Sequence, residues 1–228
     1  MHTLVLIRHG QSQWNLAKKF TGWTDIDLTD KGIKEAKTAG QTLNKHGYIF
    51  DLAYTSYLKR AINTLKFALQ ELDLCWIPEI KSWQLNERHY GSLQGQNKIE
   101  TAKLHGDEQV HIWRRSYDVK PPLLTEIDPR NPQLEYKYSH LDAKQIPLGE
   151  SLMNTYERVL PYWQKEIAPK IEAGQKILIC AHGNSLRALV KHLENLSSEE
   201  IVKVEIPTGK PLIYKLDQNL KLLDKFYL

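Results

Sequence analysis

Two histidines in this chain sit where chemistry is easiest to build. His9 follows the apolar run Leu4-Val5-Leu6-Ile7 within Arg8-His9-Gly10, and His182 follows Ile177-Leu178-Ile179-Cys180-Ala181 within His182-Gly183-Asn184. Each run reads as a short buried strand, so each imidazole falls at a strand's carboxyl end, where open α/β sheets keep their ligands. A histidine nitrogen can attack phosphorus while a neighbouring guanidinium holds phosphate oxygens in a fork, so Arg8-His9 points to phosphoryl transfer through histidine. The chain has four His-Gly pairs, and the other two act as controls. His46-Gly47 ends a helical pattern and reads as its C-terminal cap; His105-Gly106 reads as a surface turn. The bland alternative for His9 and His182 is a hydrogen-bonded loop histidine, against which their matched contexts weigh.

Three further groups could join such a site. Arg60 falls in the first turn of a helical pattern, where its charge opposes the positive end of the helix dipole unless an anion is bound there. Asn86-Glu87-Arg88-His89-Tyr90-Gly91 gathers a carboxylate, a guanidinium and a phenol. A Glu held among phosphate-binding groups can shuttle protons to a substrate oxygen, although the segment reads equally as a polar turn with internal ion pairs. Trp113-Arg114-Arg115 offers adjacent guanidiniums able to fork a carboxylate or phosphate, with a solvated basic pair as the alternative. Trp14, Trp76 and Trp163 read as packing residues.

The elements that must hold these groups follow from periodicity. Thr29 to about Asn44 carries Ile33, Ala36, Gly40 and Leu43 at helical spacing, with Gly47 placed to stop the helix. Leu52-Ala53-Tyr54-Thr55 reads as a second strand, and Ser56 is predicted to cap a helix with the stripe Leu58, Ile62, Leu65, Leu69 and Leu72. From about Pro78 to Pro147 the pattern turns irregular and proline-rich, which predicts a loop-rich insertion rather than a separate domain. A helix runs from Ser151 through Leu152, Tyr156, Val159, Trp163 and Ile167, with Pro161 predicting a kink. Leu186, Leu189, Val190 and Leu193 place another helix behind His182-Gly183-Asn184-Ser185, and Pro211 to Leu216 reads as a late strand. This alternation predicts an α/β three-layer sandwich, a mostly parallel sheet with helices on both faces, in which residues 1–228 form a single domain. No repeat or low-complexity tract interrupts it.

Composition narrows the function classes. The chain has 228 residues, 41% hydrophobic and 25% charged, enough for a full core. A formal net charge of +4, with basic residues dispersed, argues against a nucleic-acid partner. No apolar stretch reaches the roughly 18 residues of a membrane helix, and Met1 to Ile7 is too short for a signal-peptide core, so the expectation is a cytoplasmic protein with no membrane partner. Cys75 and Cys180 are the only cysteines, neither with a metal-ligand neighbour, so no metal site is expected.

Arg8-His9-Gly10-Gln11-Ser12-Gln13-Trp14-Asn15, Phe20-Thr21-Gly22-Trp23, Glu87-Arg88-His89-Tyr90-Gly91, Trp113-Arg114-Arg115-Ser116 and His182-Gly183-Asn184 together resemble the cofactor-dependent phosphoglycerate mutases, over about Leu4 to Leu228. The first triplet marks the wider histidine phosphatase superfamily; the Glu87 and Arg114 segments are specific to the mutase branch. The resemblance implies that His9 becomes phosphohistidine, that His182 stabilises the transferring group, and that Arg8 and Arg60 complete a charge clamp. It implies that Glu87 is the general acid and base. Substrate-binding positions would be Ser12, Asn15, Thr21, Gly22, Arg88, Tyr90, Lys98, Arg114, Arg115, Gly183 and Asn184, beside Arg8, Arg60 and Glu87. The implied reaction interconverts 3-phosphoglycerate and 2-phosphoglycerate, primed by 2,3-bisphosphoglycerate, without metal, in a homodimer or homotetramer. The chain stops at Phe226-Tyr227-Leu228 where many relatives continue with a polar tail, so a phosphatase on the same scaffold is the competing expectation.

Overall fold

The computed structural model describes residues 1–228. In chain order the elements are β1 (His2–Arg8), α1 (Gln13–Leu16), α2 (Asp30–Lys45), β2 (Leu52–Thr55), α3 (Lys59–Glu71), β3 (Glu79–Lys81), α4 (Lys98–His105), α5 (Asp107–Arg115), α6 (Leu152–Tyr162), α7 (Ala168–Glu172), β4 (Ile177–Ala181), α8 (Gly183–Leu193), α9 (Ser198–Ile201), β5 (Pro211–Leu216) and β6 (Leu222–Tyr227). The strands form one sheet in the order β3-β2-β4-β1-β5-β6. β1 pairs in parallel with β4, Leu4 opposite Ile177 and Arg8 opposite Ala181, so both strand-end histidines leave the sheet side by side. β4 continues in parallel to β2 and β2 to β3, whereas β5 runs antiparallel to both β1 and β6. The sheet is therefore mixed, with β5 alone reversed.

Helices cover both faces, as the continuous apolar runs require. Leu4, Leu6, Ile177 and Ile179 face Val159, Leu186 and Leu189 of α6 and α8. Their alternates Val5, Ile7, Leu178 and Cys180 face Ala39 and Leu43 of α2 and Leu65 and Leu69 of α3. Period-2 alternation thus serves two cores at once, each fully buried aliphatic side chain contributing roughly 1.5–3 kcal/mol. Thr29 caps α2 by accepting from the Gly32 N–H, and His46 closes it, as the spacing predicts.

Four local expectations change. Ser56 does not cap α3: the N-cap is Leu58, and the Ser56 hydroxyl accepts the Leu58 N–H at 3.1 Å while reaching a histidine described below. The 78–147 region is not simply loop-rich, since it supplies edge strand β3 and the helices α4 and α5. The helix from Ser151 is interrupted later than Pro161: α6 passes through the proline and then widens into a π-turn at Trp163–Ile167 before α7. Proline removes one backbone donor, and the register slips one residue in the turn that follows. Trp163 is buried and Trp14 half-buried, but Trp76 is 77% exposed and is no core residue. No helix is long and apolar enough to cross a membrane.

Candidate active site

The ends of β1 and β4 bring His9 and His182 together, their ring centroids 4.9 Å apart. The His9 Nδ1 lies 2.7 Å from the Gly10 carbonyl oxygen. A carbonyl only accepts, so Nδ1 carries the proton and Nε2 keeps a free lone pair. Burial, reinforced by Arg60 and Arg8, holds the His9 ring well below the usual histidine range and therefore neutral. His182 is lowered in the same way, by burial first and then by Arg60, with the His9 ring and the Arg158 and Arg8 guanidiniums adding to it. Its Nε2 meets the Ser56 hydroxyl at 2.7 Å, and its Nδ1 has no protein partner. These are a preorganised nucleophile and a second neutral imidazole beside it.

The cations around the pair come from separate elements. Arg8 extends from β1, anchored by donation to the Ile206 carbonyl at 2.8 Å, while its Nε is unpaired. Arg60, fully buried in the first turn of α3, donates to the Gly22 and Thr24 carbonyls at 2.7 and 3.0 Å. Burial draws its guanidinium down to about 10, against the pull of Glu87 and Asp25. Gly22 has φ of +54°, a conformation that suits glycine, and this turn aims its carbonyl at Arg60. Arg8 and Arg60 line a 360 Å³ cleft with His9, Asn15, Thr21 and Gly22.

Across the same cleft stand Glu87, Tyr90, Lys98, Arg114, Arg115, Gly183 and Asn184. Glu87 Oε1 accepts from the Arg88 N–H at 2.7 Å, the Asn184 N–H at 3.1 Å and the Asn184 Nδ2 at 2.8 Å. The other oxygen, Oε2, has no protein partner among these bonds and is the one available to a ligand. Burial alone would raise the Tyr90 hydroxyl, but Arg88, which donates to it at 3.0 Å, together with Lys98 brings it below its ordinary value. Lys98 is itself lowered by burial and by Arg114 and Arg8. So dense a set of cations favours an anion, and the N-terminal end of α8, which begins at Gly183, adds positive potential of the same sign. No group of three or more His, Cys, Asp or Glu side chains is arranged to hold a metal.

Three candidates from the sequence do not line the cleft, and one of them is His182, fully buried against His9. Ser12 is buried and caps α1, exchanging hydrogen bonds with Asn15 at 3.1 Å, so it holds Asn15 rather than lining the cleft. Arg88 points away, donating to the Arg114 carbonyl at 2.7 Å and stacking on Tyr90. Other residues escaped sequence reasoning. Arg187 and Glu205 line the cleft, and Glu205 forms an ion pair with Arg115 across it. Arg158 and Glu150 form a buried pair whose members also bind the Gln84, Asn86 and Glu87 carbonyls and the His89 N–H, fixing the segment that carries Glu87. Arg187, one turn beyond Asn184 on α8, was detectable by its spacing; the others are joined only in space.

A mixed α/β sheet with paired strand-end histidines over an arginine-lined cleft defines a class, that of histidine-centred, anion-binding α/β proteins. The family model of the histidine phosphatase superfamily (branch 1) matches residues 4–128 and 123–226. Over 225 residues the chain is 58% identical to 2,3-bisphosphoglycerate-dependent phosphoglycerate mutase 2 of Latilactobacillus sakei subsp. sakei (strain 23K), covering 99% of this chain and 98% of that protein. The chain belongs to the histidine phosphatase superfamily and, within it, to the 2,3-bisphosphoglycerate-dependent phosphoglycerate mutases. In fold it is similar to a mycobacterial glucosyl-3-phosphoglycerate phosphatase solved with VO3, with a TM-score of 0.74, 19% identity and coverage of 100% of this chain and 97% of that one. A putative α-ribazole-5'-P phosphatase from Escherichia coli K-12 MG1655 superposes with a TM-score of 0.71 at 21% identity, covering 100% of this chain and 96% of that one.

Proposed function

We propose that this protein is a phosphoglycerate mutase, an isomerase that interconverts 3-phosphoglycerate and 2-phosphoglycerate through a phosphohistidine on His9. The observation that carries this reading is that Glu87, with one oxygen pinned and the other free, lines the same cleft as the neutral, Nε2-exposed His9. The 58% identity to a phosphoglycerate mutase over 99% of the chain supports it. When bound, 2,3-bisphosphoglycerate supplies the phosphoryl group that charges His9, and the spread of Arg8, Arg60, Lys98, Arg114 and Arg115 around the cleft suits a ligand with more than one anionic group.

In this reading His9 Nε2 attacks phosphorus in line, with its proton already parked on Nδ1 against Gly10. Arg8 and Arg60 hold the equatorial oxygens and His182, steadied by Ser56, stabilises the charge that spreads over them. Glu87 Oε2 takes the proton of the accepting hydroxyl and returns it to the leaving oxygen. Arg114, Arg115, Lys98 and Tyr90 grip the distal anionic groups, while Asn15, Thr21, Gly22, Gly183 and Asn184 orient the ligand. Ser12 and Arg88 support this from behind, through Asn15 and Tyr90. Neither nucleic acid nor membrane enters the reaction, and no metal is needed where arginines neutralise the phosphoryl charge. The same reading takes residues 1–228 as one domain of a cytoplasmic homodimer or homotetramer.

An isomerisation assay with and without 2,3-bisphosphoglycerate, with inorganic phosphate followed in parallel, tests the proposal. Turnover stimulated by the bisphosphate and insensitive to a chelator is the expected result. Phosphate release without isomerisation would make the protein a phosphatase, and a manganese requirement would overturn the mechanism.

A further inference from the structure

Glu87 is carried by Asn184, and Asn184 is itself held from behind. Arg187 donates from Nη1 to the Asn184 Oδ1 at 3.1 Å and from Nη2 to the Ile201 carbonyl at 2.6 Å. Its side chain is 5% exposed, its Nε has no partner, and it takes part in no ion pair with a carboxylate. Burial, aided by Arg88 and Arg115, lowers the guanidinium to about 10. A buried guanidinium satisfied by two neutral acceptors, among other cations, is costly. An apolar residue would fill this place on α8 at lower cost if packing were its whole purpose.

We infer that Arg187 is a positioning residue for proton transfer: by occupying the carbonyl end of the Asn184 amide it forces the NH2 end toward Glu87, fixing the carboxyl that serves the substrate hydroxyl. This rests on the mutase reading of the cleft. An amide has one accepting and one donating end, and rotation about its last bond costs little. With Oδ1 tied to Arg187, the Asn184 Nδ2 must face Glu87 Oε1, where it sits at 2.8 Å. Without Arg187 the Asn184 side chain loses its anchor on the far side and can swing off Glu87 Oε1, which removes one of the three donors that fix the carboxyl and leaves it to the two backbone N–H groups. The bond to Ile201 gives the anchor rigidity, tying α8 to α9 just ahead of Glu205 and Ile206 on the opposite wall.

The test exploits leaving-group chemistry, because Glu87 matters when an alkyl oxygen leaves and is dispensable when a phenolate does. Arg187→Met is expected to lower kcat for 3-phosphoglycerate by about 100-fold with KM within about threefold, a loss typical of a misplaced catalytic group. Phosphoryl transfer from p-nitrophenyl phosphate to His9, read by acid-quench labelling, should stay within about twofold. Arg187→Lys, which keeps a donor for Oδ1, should recover kcat to within about tenfold of the parent, and Arg187→Met should add less than about twofold to an Asn184→Ala enzyme. Equal losses on both substrates would reduce Arg187 to a structural residue, and an unchanged kcat or full additivity with Asn184→Ala would equally overturn the inference. If the parent enzyme fails to isomerise, the mutase reading fails alone. The same comparison, made on phosphate release from 3-phosphoglycerate against p-nitrophenyl phosphate, then still decides the role of Arg187.

Discussion

The imidazoles of His9 and His182 face each other at 4.9 Å with their planes inclined by 59°, and burial keeps both neutral. Two protonated rings at this distance, beside Arg8 and Arg60, would repel strongly. Neutrality is therefore a condition of the fold as well as of the nucleophile. His89, buried and brought down to about 3 by desolvation and by Arg158, shares that condition.

The consequence is a defined acid sensitivity. A histidine whose folded value lies below its unfolded value binds a proton in the unfolded chain first, so stability is present above about pH 6.5 and declines as pH falls toward the folded value. Each such histidine removes about 1.4 kcal/mol per pH unit across that window. Denaturant unfolding between pH 7 and 5 should show stability falling with a slope that His89→Gln makes shallower by about one proton. A flat profile would mean that these rings protonate in the folded state.

Replacing Glu87 by Gln keeps the three donors to Oε1 nearly satisfied but removes the carboxylate that carries the proton in the proposed mechanism. The kcat for isomerisation should fall by about 10²–10⁴-fold, the usual worth of general acid–base catalysis, with KM little changed. Steady-state kinetics in both directions measures it, and a normal rate would remove Glu87 from the chemistry.

Much of this was legible in the sequence for a physical reason. β1, β2 and β4 are buried on both faces and so are written as uninterrupted apolar runs, and strand ends followed by His-Gly mark their own position in an α/β sheet. β3 and β6 lie at the sheet's edges: Glu79 and Lys81 flank Ile80 in β3, and in β6 Asp224-Lys225 divide Leu222-Leu223 from Phe226-Tyr227, so neither is written as an uninterrupted apolar run. In α4 just one residue, Thr101, is buried, which leaves no stripe to read, and in α5 the apolar face is short, Val110 and Trp113 packing against Phe20 and Leu93. Ser56 misled because a serine ahead of a helical stripe reads as a cap, whereas its partner is 126 residues away at His182. Glu205, Glu150 and Arg158 likewise gain meaning only through contacts that local periodicity does not encode.

The Glu150–Arg158 pair should prove structural in its own right. Both side chains are almost wholly buried, with contacts at 2.6 and 2.9 Å, and between them they hold the backbone on either side of Glu87. Arg158→Met leaves the Glu150 carboxylate buried and unpaired, which costs about 3–5 kcal/mol. Equilibrium denaturation should register that loss, and a change below about 1 kcal/mol would mean that water reaches the site.

Glu205 places a carboxylate in a cleft lined chiefly by cations. It is mostly exposed and engages Arg115, so a ligand's anionic group must take Arg115 from it. Exposed pairs are worth about 0–1 kcal/mol, which sets the scale of the competition. Glu205→Gln should lower KM for 3-phosphoglycerate by about two- to fivefold at low salt, with the advantage shrinking at high salt. An unchanged KM would show that Arg115 does not exchange partners.

Gly10 joins close packing to the His9 tautomer within one residue. A Cβ there would lie 2.3 Å from the Gly32 carbonyl oxygen, in backbone of α2 that cannot turn aside. The Gly10 N–H also donates to Thr64 at 3.0 Å, and its carbonyl receives the His9 Nδ1 proton. Gly10→Ala must therefore push the loop off α2, costing about 1–3 kcal/mol for overpacking, and tilt the carbonyl that sets the His9 tautomer. Both tautomers then become accessible, and the share with a proton on Nε2 cannot attack phosphorus. The expected outcome is a lower melting temperature together with slower phosphoenzyme formation from p-nitrophenyl phosphate, a substrate that needs no help from Glu87. Loss of stability with an undiminished rate of His9 labelling would show that the Gly10 carbonyl does not govern the nucleophile.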